Sequence, residues 1–586
     1  MTLALCGHPV VDGIAVGQTH IIRRNELNIG EYRIEAGGVE QEIERLRNAL
    51  AAAIQHLEQM ATRIRNTAGQ AAEDIIRTHI AMLADQSLAE TASEHIRQQL
   101  CNAEWALQLY LEDWLSRLNR INDPYIRSRG EDAVQVVQLT QEILTEEPTE
   151  PLTGLPDRLG QTLVIAAELT PGELATLHER GVAGLITEHG SPHSHTAILA
   201  RSLGIPTVMG VHHGQSLIRE NEQLILDGLY GIVFASPEES ILRHYLQKQA
   251  KSDRFIRSLE EVRDLPSESI DKVTVRLMAN AERPEDLEFA VRTGAEGVGL
   301  YRTEFLFLRG LPPEEEVQYA QYRQALEATG NLPLVIRTLD LGADKGADLL
   351  DFQSLRSIPN PALGLRAVRL CLREMELFKT QLKAILRTSA HGPVRCLIPM
   401  LTSASEVRAV RALLEEARQE LLAAGHAFDP EMPLGGMIEV PAAALALEAL
   451  SRELDFLSIG TNDLIQYALA TDRVDEQVAH LYDPQHPGIV QLLLHIFRST
   501  EALGIPVSVC GELAGDRRFT RLLLALGLTE FSMQPRSLLE VKQVITGTSV
   551  ALARESLQEW LRNPAHGEES TLLNFLDQAQ TRHNHD

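Results

Sequence analysis

Five basic residues, Arg302, Arg337, Lys345, Arg366 and Arg473, fall after or near the ends of segments that read as β-strands, in a chain whose acids outnumber its bases. Planar guanidinium forks grip carboxylate and phosphate oxygens two at a time, so a ligand held by several of them carries several such groups. A single arginine of this kind is better explained as the partner of a neighbouring acid. Five of them along the rim of one domain call for an anionic substrate. Glu439 and Asp463 sit on neighbouring strand segments and supply two hard oxygen ligands, which suits Mg2+ with its remaining positions filled by substrate and water. Asn462, Cys510 and Glu512 fall at the same strand ends, so cationic, carboxylate and thiol groups converge.

A second group lies in the run TEHGSPHSHTAILARSLGIPTVMG at 187 to 210. His189, His193 and His195 occupy a loop containing Gly, Ser and Pro that leads into a helix starting near Thr196. Exposed backbone N–H groups and the positive end of the helix dipole favour an attached anion there, such as a phosphoryl group. Three histidines this close together are also a candidate Zn2+ site, for which Glu188 is the one further ligand nearby. Solvated loop residues are the simpler account of His189, His193, His212 and His213.

These groups need elements that bring them together. From about 272 onward eight strand-like segments recur between helix-sized stretches: VRLMAN from 275, EGVGLYR from 296, LVIRTLD from 334, VRCLIPM from 394, GGMIEV from 435, DFLSIG from 455, VSVCG from 507 and EFSMQ from 530. Eight βα units predict a (β/α)8 barrel of the TIM type, whose active site lies where the strands end. Arg302 then follows strand two, Arg337 lies in strand three, Glu439 in strand five, Asn462 and Asp463 after strand six, and Cys510 and Glu512 after strand seven.

Upstream, residues 9 to 23 read as short β segments broken by Gly13 and Gly17. Ile43, Leu46, Leu50, Ala53, Leu57, Met60 and Ile64 step alternately by three and four, the seam of one long helix. The text stays helical to about 147, and its apolar stripes are best used as bundle core. Pro and Gly cluster at 146 to 160, after which β and α signals alternate up to a hairpin at QLILDGLYGIVFASP. The predicted organisation is α/β and multidomain. An α/β domain at 1–24 plus 148–236 carries an inserted helical bundle at 25–147; a linker helix at 237–266 leads to the barrel domain at 267–586.

Composition narrows the partners. Lys and Arg number 54 against 81 Asp and Glu, a net charge of −27, so the summed field repels phosphate backbones and anionic lipid headgroups. Nucleic acid is not expected as a partner, whereas a basic protein would be steered toward this surface. The longest apolar runs, LLLALGL and AAALALEAL, are too short to span a membrane, and the first residues lack a basic region and apolar core, so no membrane insertion and a cytoplasmic location are expected. The five cysteines are scattered singly, against a disulfide framework or a zinc cluster.

The motifs SHTAILARSLGIPTVMG, GLYRTEFLF, RTLDLGADK, EVPAAA, SIGTNDLIQYALATDR and CGELAGD occur in one order, and with them the chain resembles Enzyme I of the bacterial phosphotransferase system, the phosphoenolpyruvate-protein phosphotransferases, from about 7 to 575. The resemblance implies that His195 is the phosphorylated histidine of an α/β phosphohistidine domain. It implies that Arg302 and Arg337 bind the phosphate of phosphoenolpyruvate, with Arg473 and Asn462 completing the grip, that Glu439 and Asp463 hold Mg2+, and that Cys510 protonates C3 of the enolate to give pyruvate. It further implies that the inserted bundle docks the phosphocarrier protein HPr and that the barrel forms a homodimer. Physical chemistry agrees: an uncharged imidazole is a competent nucleophile, and a lone thiol with an ordinary pKa of about 8.5 remains a proton donor at neutral pH.

Two features depart from the family pattern. His193 stands two positions before His195, where many members have Thr, and the polar tail TRHNHD has no assigned role. Two related readings are an ATP-dependent dikinase, disfavoured because no Gly-rich phosphate loop precedes the α/β piece, and an Enzyme I of a nitrogen-type regulatory phosphorelay. A third, a metal-binding scaffold built on the histidines, requires zinc and no labelling by phosphoenolpyruvate.

Overall fold

The computed structural model describes residues 2–23, 29–68, 70–118, 124–145, 155–156, 158–190, 194–307, 312–342, 361–473, 475, 477–562 and 571–583. The chain divides into two units, Met1–Arg254 and Phe255–Asp586.

In the first unit β1 (Leu3–Cys6), β2 (His8–Val11) and β3 (Ile14–Ile22) precede five helices: α1 (Val39–Ala68), α2 (Gln70–Leu83), α3 (Gln86–Gln99), α4 (Ala103–Leu118) and α5 (Pro124–Thr145). The chain then continues through β4 (Thr162–Ala166), α6 (Pro171–Glu179), β5 (Gly184–Thr187), α7 (His195–Leu203), β6 (Thr207–Met209), α8 (Gly214–Leu217), β7 (Gln223–Asp227), β8 (Ile232–Ala235) and α9 (Glu239–Arg263). The sheet order is β1-β8-β7-β3-β4-β5-β6-β2. Strands β3 and β4 are parallel neighbours, so the helical bundle is inserted between two strands that touch.

The α1 seam behaves as its period requires. Ile43, Leu46, Leu50, Ala53 and Leu57 are buried, while Met60 is half-buried. Each buried leucine contributes about 1.5–3 kcal/mol. These residues join Ile22, Leu174, Leu177 and Ala197 in one apolar cluster, so bundle and sheet share a core. Helix α6 starts where Thr170 and Glu173 form a capping box with Pro171 in the first turn, three local signals that agree.

Gly17 does not break the strand as expected. Strand β3 runs through it without interruption, because the glycine answers a tertiary need: a Cβ there would lie 1.8 Å from the Gln161 carbonyl oxygen. That same oxygen accepts from Gln18 N at 3.0 Å. Gly17→Ala is therefore expected to destabilise the first unit by about 1–3 kcal/mol, seen as an earlier urea midpoint. An unchanged midpoint contradicts the close approach.

In the second unit β9 (Arg276–Ala281), β10 (Val298–Tyr301), β11 (Leu334–Arg337), β12 (Val394–Ile398), β13 (Leu434–Ile438), β14 (Phe456–Ile459), β15 (Val507–Val509) and β16 (Glu530–Met533) are all parallel and close into a barrel. Leu300, Val335, Leu397, Met437, Phe456 and Cys510 form a small apolar cluster separate from the larger core to which the helices contribute. Cys510, just past the end of β15, is the one of the six that also belongs to the mouth. The barrel therefore presents an apolar plug below and polar loops above.

Candidate active site

Parallel strands all end on the same side, and that gathers most of the predicted residues of the second unit. Arg302 follows β10, Arg337 ends β11, Glu439 follows β13 and Cys510 follows β15. Asn462 and Asp463 lie in the first turn of the helix Thr461–Leu469 after β14. Two arginines are not at strand ends, against expectation. Arg366 precedes the helix Ala367–Arg373, and Arg473 follows the helix Thr461–Leu469; loops return them to the rim. Lys345 lies outside the described residues.

Each of the four described arginines has a carboxylate partner. Arg302 Nη1 meets Glu282 at 2.6 Å, Arg337 meets Glu304 at 2.8 Å and Asp340 at 3.1 Å, Arg366 meets Asp340 at 2.8 Å and Asp463 at 3.5 Å, and Arg473 meets Glu512 at 3.1 Å. Asn462 and Glu512 exchange two hydrogen bonds of 2.9 Å, side-chain amide to carboxylate and backbone N–H to amide oxygen. Burial works against the Arg337 charge, but Glu304, Asp340 and Glu439 outweigh it and hold the guanidinium charged. Arg366 is held charged against burial by Asp340 and Asp463 in the same way. Nε of both Arg302 and Arg337 is buried and finds no partner among the described residues. Two guanidinium donors thus remain for an anionic oxygen.

Glu439 is buried, and Met400 N donates to its Oε1 at 2.6 Å. Burial first, then Asp463 and Asp340, push its carboxyl up to about 8, with Arg337 opposing. Crowded carboxylates of this kind form a hard oxygen set short of positive charge. No group of three or more His, Cys, Asp or Glu among the described residues could hold a metal. Glu439 and Asp463 are two oxygen donors close enough for Asp463 to push the Glu439 carboxyl up, a pair that by itself supplies only part of a cation's coordination.

Sequence reasoning missed Asp340, Glu304, Glu282 and Tyr467. Asp340 bridges Arg337 and Arg366, and its backbone N–H donates to Glu304 Oε1 at 3.1 Å. Tyr467 donates to the Ala362 carbonyl at 2.6 Å and so steadies the loop before Arg366. A signal was present, since Glu304 and Asp340 lie two and three residues beyond Arg302 and Arg337 inside the motifs themselves.

The Cys510 thiol is buried, and burial pushes it up to about 11. It is a reserve of protons, not a thiolate nucleophile. Because folding holds it neutral, its stabilising effect is full below the ordinary thiol range and is lost as pH rises toward about 11. Iodoacetamide at pH 8 is expected to modify exposed Cys6 first, with Cys510 reacting only as the pH approaches that value. Equal rates at pH 8, read by peptide mass spectrometry, would contradict this environment.

In the first unit His195 is the first residue of α7. Ser194 caps the helix, its hydroxyl accepting from Ala197 N at 3.3 Å, and Thr196 Oγ1 donates to the Leu169 carbonyl at 3.0 Å. The structure describes the His195 backbone and not its side chain, and His193 lies outside the described residues. His189 is exposed, and Thr187 Oγ1 donates to its carbonyl at 2.6 Å, closing the start of the loop. Among the described residues no helix is long and apolar enough to cross a membrane.

Three family models match the chain in order: the N-terminal region of phosphoenolpyruvate-utilising enzymes over 6–129, their mobile domain over 160–231 and their phosphoenolpyruvate-binding domain over 257–550. Together with a barrel mouth rich in arginine and carboxylate, they define an enzyme that uses phosphoenolpyruvate. The phosphoenolpyruvate-protein phosphotransferase of Cupriavidus necator is 41% identical over 553 residues, covering 93% of this chain and 94% of that one. Those of Haemophilus influenzae and Geobacillus stearothermophilus are 35% and 37% identical, covering 96% and 90% of this chain and 97% and 90% of their own. The chain belongs to the phosphoenolpyruvate-protein phosphotransferase family and carries out phosphoenolpyruvate-dependent phosphotransfer.

Proposed function

We propose that the enzyme transfers the phosphoryl group of phosphoenolpyruvate to His195, releases pyruvate, and passes the group to a histidine of the phosphocarrier HPr in the cytoplasm, as the first step of sugar phosphotransfer. The observation that carries the reading is the barrel mouth, where Arg302 and Arg337 keep unpartnered Nε donors beside Glu439, Asp463 and Cys510. Arg302 and Arg337 bind the phosphate, Arg473 and Asn462 complete the grip, Lys345 and Arg366 add positive charge, and Glu439 with Asp463 would hold Mg2+. When bound, the metal neutralises phosphoryl and enolate oxygens.

The His195 imidazole forms a P–N bond as the P–O bond to enolpyruvate breaks. The Cys510 S–H then gives its proton to C3 while the enolate electron pair forms the C–H bond, and solvent restores the thiol. His195 belongs to one unit and the barrel mouth to the other, with α9 running from one into the other. His195 in this reading meets the mouth and later HPr by hinge motion about that helix. In this reading the inserted bundle receives HPr and the barrel forms a homodimer.

The test is incubation with labelled phosphoenolpyruvate and Mg2+, then with HPr. Acid-labile label on the enzyme, one pyruvate released per label and onward transfer to HPr are expected. Label that passes to a nitrogen-type carrier and not to HPr replaces the sugar role with the regulatory one. Absence of label overturns the reading.

A further inference from the structure

Asn280 lies in β9, the strand that closes the barrel, and is half-buried. Its Nδ2 donates to the Cys510 carbonyl at 2.9 Å across 230 residues of sequence. Its Oδ1 accepts from Ser532 Oγ at 2.6 Å, on neighbouring β16. The amide is thereby held in one orientation, donor side toward the thiol-bearing peptide. On the N-terminal side of the same residue, Cys510 N donates to the Ile459 carbonyl at 3.1 Å. Gly511 follows, and a Cβ there would lie 1.9 Å from Thr461 Oγ1, so the turn is clamped between β9 and the start of the helix Thr461–Leu469.

A proton donor acts on one face of a planar enolate only if its Cα–Cβ bond is fixed relative to the bound substrate. The Cys510 side chain is buried in the small apolar cluster, and its thiol meets the Ser458 side chain and, at 3.6 Å, the Ile459 carbonyl. Those contacts hold Sγ, and the direction of the Cα–Cβ bond itself is set by the backbone. We infer that Asn280, oriented by Ser532, is a positioning residue that aims the Cys510 thiol at one face of enolpyruvate C3. The inference rests on Cys510 being the proton donor. In the step it supports, the S–H bond breaks, the enolate pair makes the C3–H bond, C2–O becomes a carbonyl, and the thiolate is reprotonated by water.

The experiment uses the full-length enzyme with Mg2+ and phosphoenolpyruvate stereospecifically deuterated at C3, turned over in tritiated water, and reads the configuration of the pyruvate methyl group. Phosphorylation of the enzyme is followed separately with labelled phosphoenolpyruvate. Asn280→Asp keeps the shape and the acceptor for Ser532 but removes the donor to Cys510. It is expected to phosphorylate at close to the wild-type rate while pyruvate formation slows at least about tenfold and the methyl group loses its single configuration. Ser532→Ala, which leaves Asn280 in place, is expected to shift both readouts in the same direction by less. A single configuration at wild-type rate in both variants, with Cys510→Ala scrambled, overturns the positioning role alone. Phosphorylation falling in parallel with ketonisation overturns it as well. A Cys510→Ala enzyme with unchanged rate and configuration removes the proton-donor reading on which it rests.

Discussion

His195→Ala is expected to reduce acid-labile labelling by phosphoenolpyruvate to background, a loss of at least about 10^4-fold, as for removal of a nucleophile that acts as part of a unit. The reason is positional as well as chemical. Ser194 takes the cap of α7, which places residue 195 in the first helical turn, where backbone N–H groups lack intrahelical acceptors and the dipole favours an attached anion. Alanine is a good helix former, so the substitution leaves cap and helix intact and the unfolding profile unchanged. His193→Ala is expected to retain label, because residue 193 precedes the cap. Label lost in His193→Ala and kept in His195→Ala would move the nucleophile two residues upstream and sink the assignment.

Arg337→Met is expected to have the second largest effect, and on two quantities at once. Its guanidinium is buried against Glu304 and Asp340, and Asp340 also serves Arg366. Removing one member of a buried ion cluster leaves uncompensated charge and costs about 3–5 kcal/mol. The same substitution removes a free Nε donor from the mouth, so kcat/KM for phosphoenolpyruvate is expected to fall by about 10^3-fold or more, in the range of a lost preorganised donor. Glu439, already pushed up to about 8, loses the positive charge that opposes the shift and rises further. Carboxylates left without their cation regain stability when protonated, so the deficit is largest at alkaline pH and narrows as pH falls through the carboxyl range. Adding Asp340→Asn to Arg337→Met is expected to recover part of the stability and none of the activity. A variant with wild-type unfolding free energy would show that the cluster is not energetically coupled.

The arginine cluster also shows why charge in a sequence is hard to interpret. In an acidic chain, several basic residues near strand ends suggest a strongly positive mouth. The folded mouth is a mixed lattice in which Glu282, Glu304, Asp340, Asp463 and Glu512 face Arg302, Arg337, Arg366 and Arg473. In the proposed reading a substrate phosphate would take the place of carboxylate partners of these arginines, and Glu439 with Asp463 would hold the cation. Such a site is preorganised by its ion pairs, which suits a phosphoryl transfer that depends on positioning.

Local signals in the sequence determined what depends on neighbours a few residues away. The α1 seam, a helix start near Thr196 and the eight strand segments of the barrel were legible because period and apolar runs act within one or two turns, whereas the caps at Thr170 and Ser194 came from the structure. Barrel closure then followed from counting parallel units, and with it the convergence of Arg302, Arg337, Glu439, Asp463 and Cys510 on one face. Tertiary structure alone decided the rest. It required Gly17 to lack a side chain because of Gln161, brought Arg366 back to Asp340 and Asp463 through a loop, and set Asn280 against a carbonyl 230 residues away. Those facts depend on which surfaces meet once strands close and loops fold over them. Burial, which sets the protonation of Glu439 and Cys510, exists only after they have met.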